Sequence, residues 1–174
     1  MLFLEGIHVP DIQVVNYEKE IGRDWETQYR NWATPKGALA LLAALQSPGS
    51  ARASRAPLGA SPSGIHPTGL SQRVLSAGSQ ALLLKLMTEA IPGAKRLKGE
   101  LPAGTVVAQK TGTGGTQNGI TSATNDIGII TLPDGRHLAV AAFVSDSAAN
   151  DDTRDAIIAR LAKAAWDRAQ SLGR

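Results

Sequence analysis

Residues 126–144 read DIGIITLPDGRHLAVAAFV. Two apolar runs rich in β-branched and small residues flank Pro133-Asp134-Gly135-Arg136, and a proline followed by Asp-Gly is turn chemistry. The spacing predicts an antiparallel hairpin, with one strand over 126–132 and its partner over HLAVAAFV, 137–144. Upstream, TVVAQK at Thr105 to Lys110 has the same β-branched character and predicts a further strand. Downstream, Asn150 to about Leu172 reads as a long amphipathic helix. Ile157, Ile158, Leu161, Ala165 and Trp166 lie toward one side of it, with Asp152, Arg160, Lys163 and Asp167 mostly elsewhere.

The earlier chain supplies helices. Thr34 before Pro35 is a side-chain cap followed by a proline whose missing N–H costs nothing in the first turn. That helix runs through GALALLAALQ with Leu39, Leu42 and Leu45 on one face. Ser76 caps a second, SAGSQALLLKLMTEA, which ends before Pro92-Gly93. Ile7 to Val15 suggests a short extended segment broken by Pro10. Residues 16–35, NYEKEIGRDWETQYRNWATP, lack a clean period and read as an ordered loop. Residues 47–74 are dominated by Ser, Gly, Pro, Ala and Arg and read as a flexible insertion. Helices, then a three-stranded antiparallel sheet, then a closing helix make an α+β architecture, and the 174 residues read as a single domain.

Composition excludes several function classes. The net charge of +3 is scattered, which speaks against a nucleic-acid face. There is no cysteine, so disulfides and thiolate metal sites are out. His8, His66 and His137 lack metal-ligand spacing, and no metal or cofactor is expected. No run is long enough to cross a membrane. The opening MLFLEGIHVPD is interrupted by Glu5 and lacks a basic start, so it does not read as an export signal, and the chain as written is expected to be cytoplasmic.

The candidate chemistry lies in VVAQKTGT, residues 106–113. Lys110 supplies a fixed positive charge, Thr111 a hydroxyl, and Gly112 lets a ligand approach the backbone closely. Thr113 alternates to the same side of the strand as Thr111, so both hydroxyls could serve one ligand. Such a strand edge suits a ligand carboxylate.

Two longer runs, RLKGELPAGTVVAQKTGTGG and ATNDIGIITLPDGRHLAVAAFVSDS, together resemble the C-terminal part of class A serine β-lactamases. DWETQYRNWATPKGAL resembles the segment after the omega loop in their PER-type and VEB-type extended-spectrum branch. The resemblance implies a partial β-lactamase or penicillin-binding-protein-like fold, with an omega-loop region at 1–33, β-lactams as the substrate class and, for the family, a periplasmic or secreted location. It implies that Lys110, Thr111 and Gly112 are the family's third motif, and that Thr111 and Thr113 hold the β-lactam carboxylate. The backbone N–H of Thr113 would be one arm of the oxyanion hole. Arg96 stands where some members place an arginine beside that strand; a solvated helix-end arginine is the alternative. Glu18 aligns with the omega-loop glutamate that activates the hydrolytic water, with Glu20 as a rival two residues on. Gly22 replaces a side chain that usually helps to hold that water. The resemblance makes Asn125 and Asp126 structural, and Trp25 and Trp32 packing residues.

Two family motifs are missing from this sequence. No serine stands three residues before a lysine, so there is no Ser-x-x-Lys nucleophile, and no Ser-Asp-Asn occurs. The expectation is therefore a C-terminal half of the family fold, inactive by itself and marginally stable, for which the missing N-terminal half is the candidate partner. The alternatives are a non-catalytic module binding β-lactams or peptide carboxylates, or a penicillin-binding-protein relative.

Overall fold

The computed structural model describes residue 4 and residues 9–46 and 75–172. The expected 47–74 insertion, Ile7, His8 and His66 lie outside the described residues.

The hairpin of residues 126–144 is the centre of the molecule, and it is longer than its apolar runs suggested. Strand β5 covers Ile120–Thr131 and β6 covers His137–Ser147, in register from Thr121↔Ser147 to Thr131↔His137. Gly135, at φ +84°, makes the turn, and Asp134 accepts from the Arg136 backbone at 3.0 Å. On the other side of β5 lies β3, Val107–Thr113, antiparallel from Val107↔Ile130 to Thr113↔Thr124. Below it the short β4, Thr116–Gln117, pairs with Thr121 and Ile120. The sheet thus has four strands rather than three. β3 and β4 are one hairpin arm interrupted at Gly114 and Gly115, where Gly114 N donates to Ala123 O at 2.9 Å and Ser122 N to Gly115 O at 3.0 Å. The arm turns back at Asn118-Gly119, both at positive φ. The expected first strand, 105–110, ends too early: continuous pairing with β5 carries β3 through the glycine to Thr113.

A second, two-stranded ladder joins β1, Ile12–Gln13, to β2, Trp32–Ala33. It closes the neck of residues 14–31. That stretch is not a plain loop, since it holds the one-turn helix α1, Glu18–Ile21, and a 3-10 turn, Thr27–Arg30.

Helix α2 spans Pro35–Gln46, α3 Ala77–Thr88 and α4 Asp151–Ser171. Each starts where its sequence signal says. Thr34 Oγ1 accepts from Gly37 N, Ser76 Oγ from Ser79 N and Asn150 Oδ1 from Thr153 N, at 3.0, 3.1 and 2.9 Å.

The two faces of the sheet bury different partners. On one, Leu97, Val107, Ile130, Leu132, Val140 and Ala142 pack against Ile158, Ala162 and Trp166 of α4. On the other, Ala108 and Ile129 meet Leu42 of α2 and Met87 of α3. Two helix faces differ from expectation. In α2 only Leu42 of the three leucines is buried, while Leu39 is 37% exposed. In α4 the buried stripe is Arg154, Ile158, Ala162 and Trp166, spaced by four; Ile157 and Leu161 stand one residue off it and are half exposed. Arg154 takes the first place in that stripe because Thr124 Oγ1 on β5 accepts from its Nε at 2.8 Å.

Apolar surface remains open. Leu82 and Leu86, on consecutive turns of α3, are each more than half exposed, and Ile91 is 88% exposed. The outer edge of β6 pairs with no strand among the described residues.

Ile130→Ala should cost about 2–5 kcal/mol, because it empties a site of zero exposure at the centre of the larger cluster. Leu39→Ala should stay within about 0.5 kcal/mol. Denaturant titration of both variants checks the pair, and an equal loss would contradict the assignment of Leu39 to the surface.

Candidate functional site

Among the described residues β3 is an edge strand, so the backbone of KTG is paired there on one side only. Lys110 stands at its centre, opposite Ile127, and is exposed; its ammonium donates to the Thr111 carbonyl at 2.5 Å. Alternation puts Lys110 and Gly112 on the α2 and α3 face with Ala108, and Thr111 and Thr113 on the α4 face with Val107. The charge and the two hydroxyls therefore straddle the strand instead of sharing one face.

The phase of the ladder decides what the edge offers. Gly114 N donates to Ala123 O, and Thr131 N donates to Val106 O. Even-numbered residues of this strand therefore exchange their backbone bonds with β5, and odd-numbered ones point away from it. The N–H of Thr113 consequently faces outward, beyond the sheet margin. Within four residues the edge presents an ammonium, two hydroxyls and the outward amides of Thr111 and Thr113.

Arg96 organises this edge from behind. It lies in the turn-rich segment 92–101, which Gly93 brings against the strand. Gly93 has φ +80°, and a Cβ there would sit 2.3 Å from Thr111 Cγ2, so only glycine fits. From that position Arg96 donates through Nη1 to Gly112 O at 3.0 Å and Asn125 O at 2.9 Å. Its Nη2 donates to Thr113 Oγ1 at 2.8 Å, and its Nε pairs with Asp155 of α4 at 2.7 Å. The guanidinium is committed to the protein. Because Thr113 Oγ1 accepts from a cation, its own O–H proton remains available to a ligand.

The structure sets Glu18 at the first position of α1, exposed, with no hydrogen bond or ion pair among the described residues. Glu20 differs: its carboxylate accepts from Tyr17 N at 3.0 Å and Asn16 Nδ2 at 3.4 Å, so it is occupied in shaping the turn. Asn31 gathers the loop's two ends, its Oδ1 accepting from Val15 N and Asn16 N at 2.8 and 2.9 Å and its Nδ2 donating to Asn16 O at 2.8 Å. Two contacts then fasten the loop to the sheet. Ser122 Oγ donates to Gln28 Oε1 at 2.6 Å, and Tyr29 Oη to Asp146 Oδ1 at 2.7 Å. The second holds Asp146 at φ +46° and pushes the Tyr29 phenol up to about 12, since ionising it beside that carboxylate would remove the donated proton. Gly114 makes the first possible, because a Cβ there would lie 2.0 Å from Ser122 Oγ. Both fastenings are at the sheet end where β3 finishes, so the Glu18 loop and the KTG edge meet at one end of the molecule.

Trp25 packs edge-on against Tyr29, with ring centroids 6.0 Å apart, whereas Trp32 is 47% exposed. Asn125 and Asp126 lie within β5, and Asp126 is fully buried. A depression of about 390 Å³ lies elsewhere: it is lined by Pro102, Thr105, Val106, Thr131, Leu132 and Trp166, at the opposite end of the sheet. Among the described residues no His, Cys, Asp and Glu cluster could hold a metal, and no helix is long and apolar enough to cross a membrane.

Asp155, Gln28, Ser122, Tyr29 and Asp146 are absent from the sequence-based candidates. Their partners lie 59, 94 and 117 residues away, and no local pattern links such positions. The Asn118-Gly119 turn did carry a signal, since Asn-Gly is the favoured pair for a two-residue hairpin turn.

Residues 68–169 match the model of a beta-lactamase enzyme family. The chain is 42% identical to the extended-spectrum beta-lactamase PER-1 of Pseudomonas aeruginosa over 164 residues, 94% of this chain and 46% of that one. It is 37% identical to beta-lactamase VEB-1 of the same organism over 165 residues, 95% of this chain and 48% of that one. The solved beta-lactamase of Chitinophaga pinensis superposes with a TM-score of 0.79 at 39% identity, covering 97% of this chain and 53% of the other. The chain spans about half the length of the curated relatives it matches.

Arg96→Ala removes four bonds at once and leaves the Asp155 carboxylate without its cation. The expected loss is about 3 kcal/mol in a denaturant titration. Amide exchange should rise first at Gly112 to Gly114. Arg96→Lys should recover less than half, since the three donors on one ammonium nitrogen cannot reach four acceptors spread over three elements.

Proposed function

The chain belongs to the beta-lactamase enzyme family, with the fold of the C-terminal part of a class A enzyme, and from that premise we propose that it carries one wall of a β-lactam hydrolase site. The observation that carries this reading is the β3 edge, where the ammonium, hydroxyls and outward amides fall within four residues, beside the loop bearing Glu18.

In the proposed site the Lys110 ammonium and the Thr111 and Thr113 hydroxyls take the carboxylate of a β-lactam. Arg96 contributes at one remove: its charge polarises Thr113 Oγ1, whose proton goes to the ligand. The Thr113 N–H stabilises the oxygen of the former lactam carbonyl as it gains charge during attack. Glu18, exposed and unpaired, accepts a proton from the water that attacks the acyl intermediate, and in this account Glu20 is excluded by its local role. Gly22 leaves that water one fewer side chain to hold it.

This sequence offers no Ser-x-x-Lys to form the acyl intermediate. The 174 residues alone therefore bind but do not turn over, and hydrolysis needs a second segment supplying the serine, the lysine and a Ser-Asp-Asn loop. The same segment would cover Leu82, Leu86, Ile91, Ile157 and Leu161, without which the chain is marginally stable and prone to aggregate.

The test is hydrolysis of a chromogenic cephalosporin. The purified chain alone should give none, and co-expression with a segment carrying Ser-x-x-Lys and Ser-Asp-Asn should give turnover. In that assembly Glu18→Gln should lower kcat by about 10²–10⁴-fold with accumulation of acyl-enzyme. Turnover by the chain alone that disappears in Glu18→Ala would overturn the account.

A further inference from the structure

Behind the KTG strand, on the face turned to α4, two neighbouring buried side chains each leave one polar atom without a partner among the described residues. Asp126 on β5 and Gln109 on β3 are both at zero exposure. In the ladder Asp126 is opposite Thr111 and Gln109 is opposite Gly128, so the two are diagonal neighbours on one face. Both close on Gly93: from the position of a Cβ on that residue, Gln109 Nε2 would be 3.1 Å away and Asp126 Oδ2 3.6 Å.

Each has one satisfied atom and one without a partner. Gln109 Nε2 donates to Pro92 O at 2.9 Å, and Asp126 Oδ2 accepts from Leu97 N at 3.2 Å. Gln109 Oε1 and Asp126 Oδ1 are buried with no hydrogen-bond partner among the described residues. Turning the Gln109 amide over does not resolve this, because it would set Oε1 against the Pro92 carbonyl. Two unpartnered acceptors on diagonal neighbours of one buried face are satisfied together if one of them carries a proton to the other.

We propose that in mildly acidic solution Asp126 is a protonated carboxylic acid in the folded protein, and that its O–H then donates to Gln109 Oε1, clamping β3 to β5 directly behind Lys110, Thr111 and Gly112. The clamp also seats Gly93 and hence Arg96, so Asp126 is a positioning residue for the edge strand. It stands apart from the functional reading, since it concerns the fold behind the motif whatever ligand the edge takes.

Burial favours the neutral acid against the balance of the surrounding charges. Arg96 and Lys98 from the 92–101 segment attract a negative charge at Asp126, and Asp155 from α4 opposes it. From β3 the facing groups are the neutral Gln109 and Thr111, while Lys110 points to the other face. Arg96 already has Asp155 as its carboxylate at 2.7 Å. Burial dominates this balance and pushes the Asp126 carboxyl up to about 6, from an ordinary 3.8.

The sign follows from linkage. A folded-state value above the unfolded one means that the folded chain holds the proton more tightly. The contribution is complete below 3.8 and is lost as pH rises through 6. Between pH 5 and 7.5 the unfolding equilibrium constant should therefore rise about tenfold from this group. Asp126→Asn places an amide donor where the acid proton stood and cannot ionise. Its curve should lack that tenfold rise, and the difference between the two chains cancels any contribution from histidine.

The experiment is denaturant titration of the 174-residue chain and its Asp126→Asn variant at steps from pH 5 to 7.5. It is paired with a carboxyl-carbon NMR titration of Asp126 in the unaltered chain. A pH-dependent difference of about tenfold, with the Asp126 carbon titrating near 6, supports the clamp. Parallel curves, or a carbon that titrates below about 4.5, overturn it. So does a chain with no cooperative transition at pH 5, where the clamp should be most nearly complete.

Discussion

One guanidinium joins four separate pieces of this chain. Arg96 belongs to the segment between α3 and β3, yet its donors end on β3, β5 and α4. A planar fork with fixed donor directions can do this only if all the acceptors are held at once, so the geometry is cooperative. Withdrawing Asp155 leaves a cation facing two carbonyls and a hydroxyl. Withdrawing Gly93 leaves no route for the backbone to approach the strand. The KTG edge is stiff because it is tied from behind, and an edge strand paired on one side needs such a tie to hold outward groups in a defined place.

The Glu18 loop is positioned by a different device. Its neck is shut by the short β1–β2 ladder and by the Asn31 amide, and its crown is fastened to the sheet through Gln28 and Tyr29. Neither fastening uses an ion pair. Both use neutral donors on side-chain oxygens, which ionic strength screens little. Glycine recurs at the two points of closest approach, Gly93 under Thr111 and Gly114 under Ser122, because any side chain would separate what the site brings together.

How much of this was visible in the sequence depended on how far apart the partners lie. Thr34-Pro35, Ser76 and Asn150 fixed three helix starts, because a cap acts on an N–H two or three residues on. Pro133 to Arg136 announced the central hairpin for the same reason. Strand ends were less legible: β3 passes through Gly112 because β5 continues opposite it, and propensity does not register a partner strand. The α4 face was misjudged where a buried arginine replaced an apolar residue, since Arg154 is recognisable as interior only once Thr124 is known to accept from it. The resemblance nominated Lys110, Thr111, Thr113, Arg96 and Glu18. It did not foresee that Lys110 and the two hydroxyls sit on opposite faces, or that Arg96 spends its donors on the protein.

The uncovered margin of β6 has a consequence for assembly. Eleven residues of backbone there expose alternating donors and acceptors that no strand among the described residues meets. Main-chain complementarity carries almost no sequence information, so any extended segment of suitable length satisfies it, including the same margin of a second copy approached across a two-fold axis. The described residues thus leave this margin open to main-chain pairing and do not select what pairs with it.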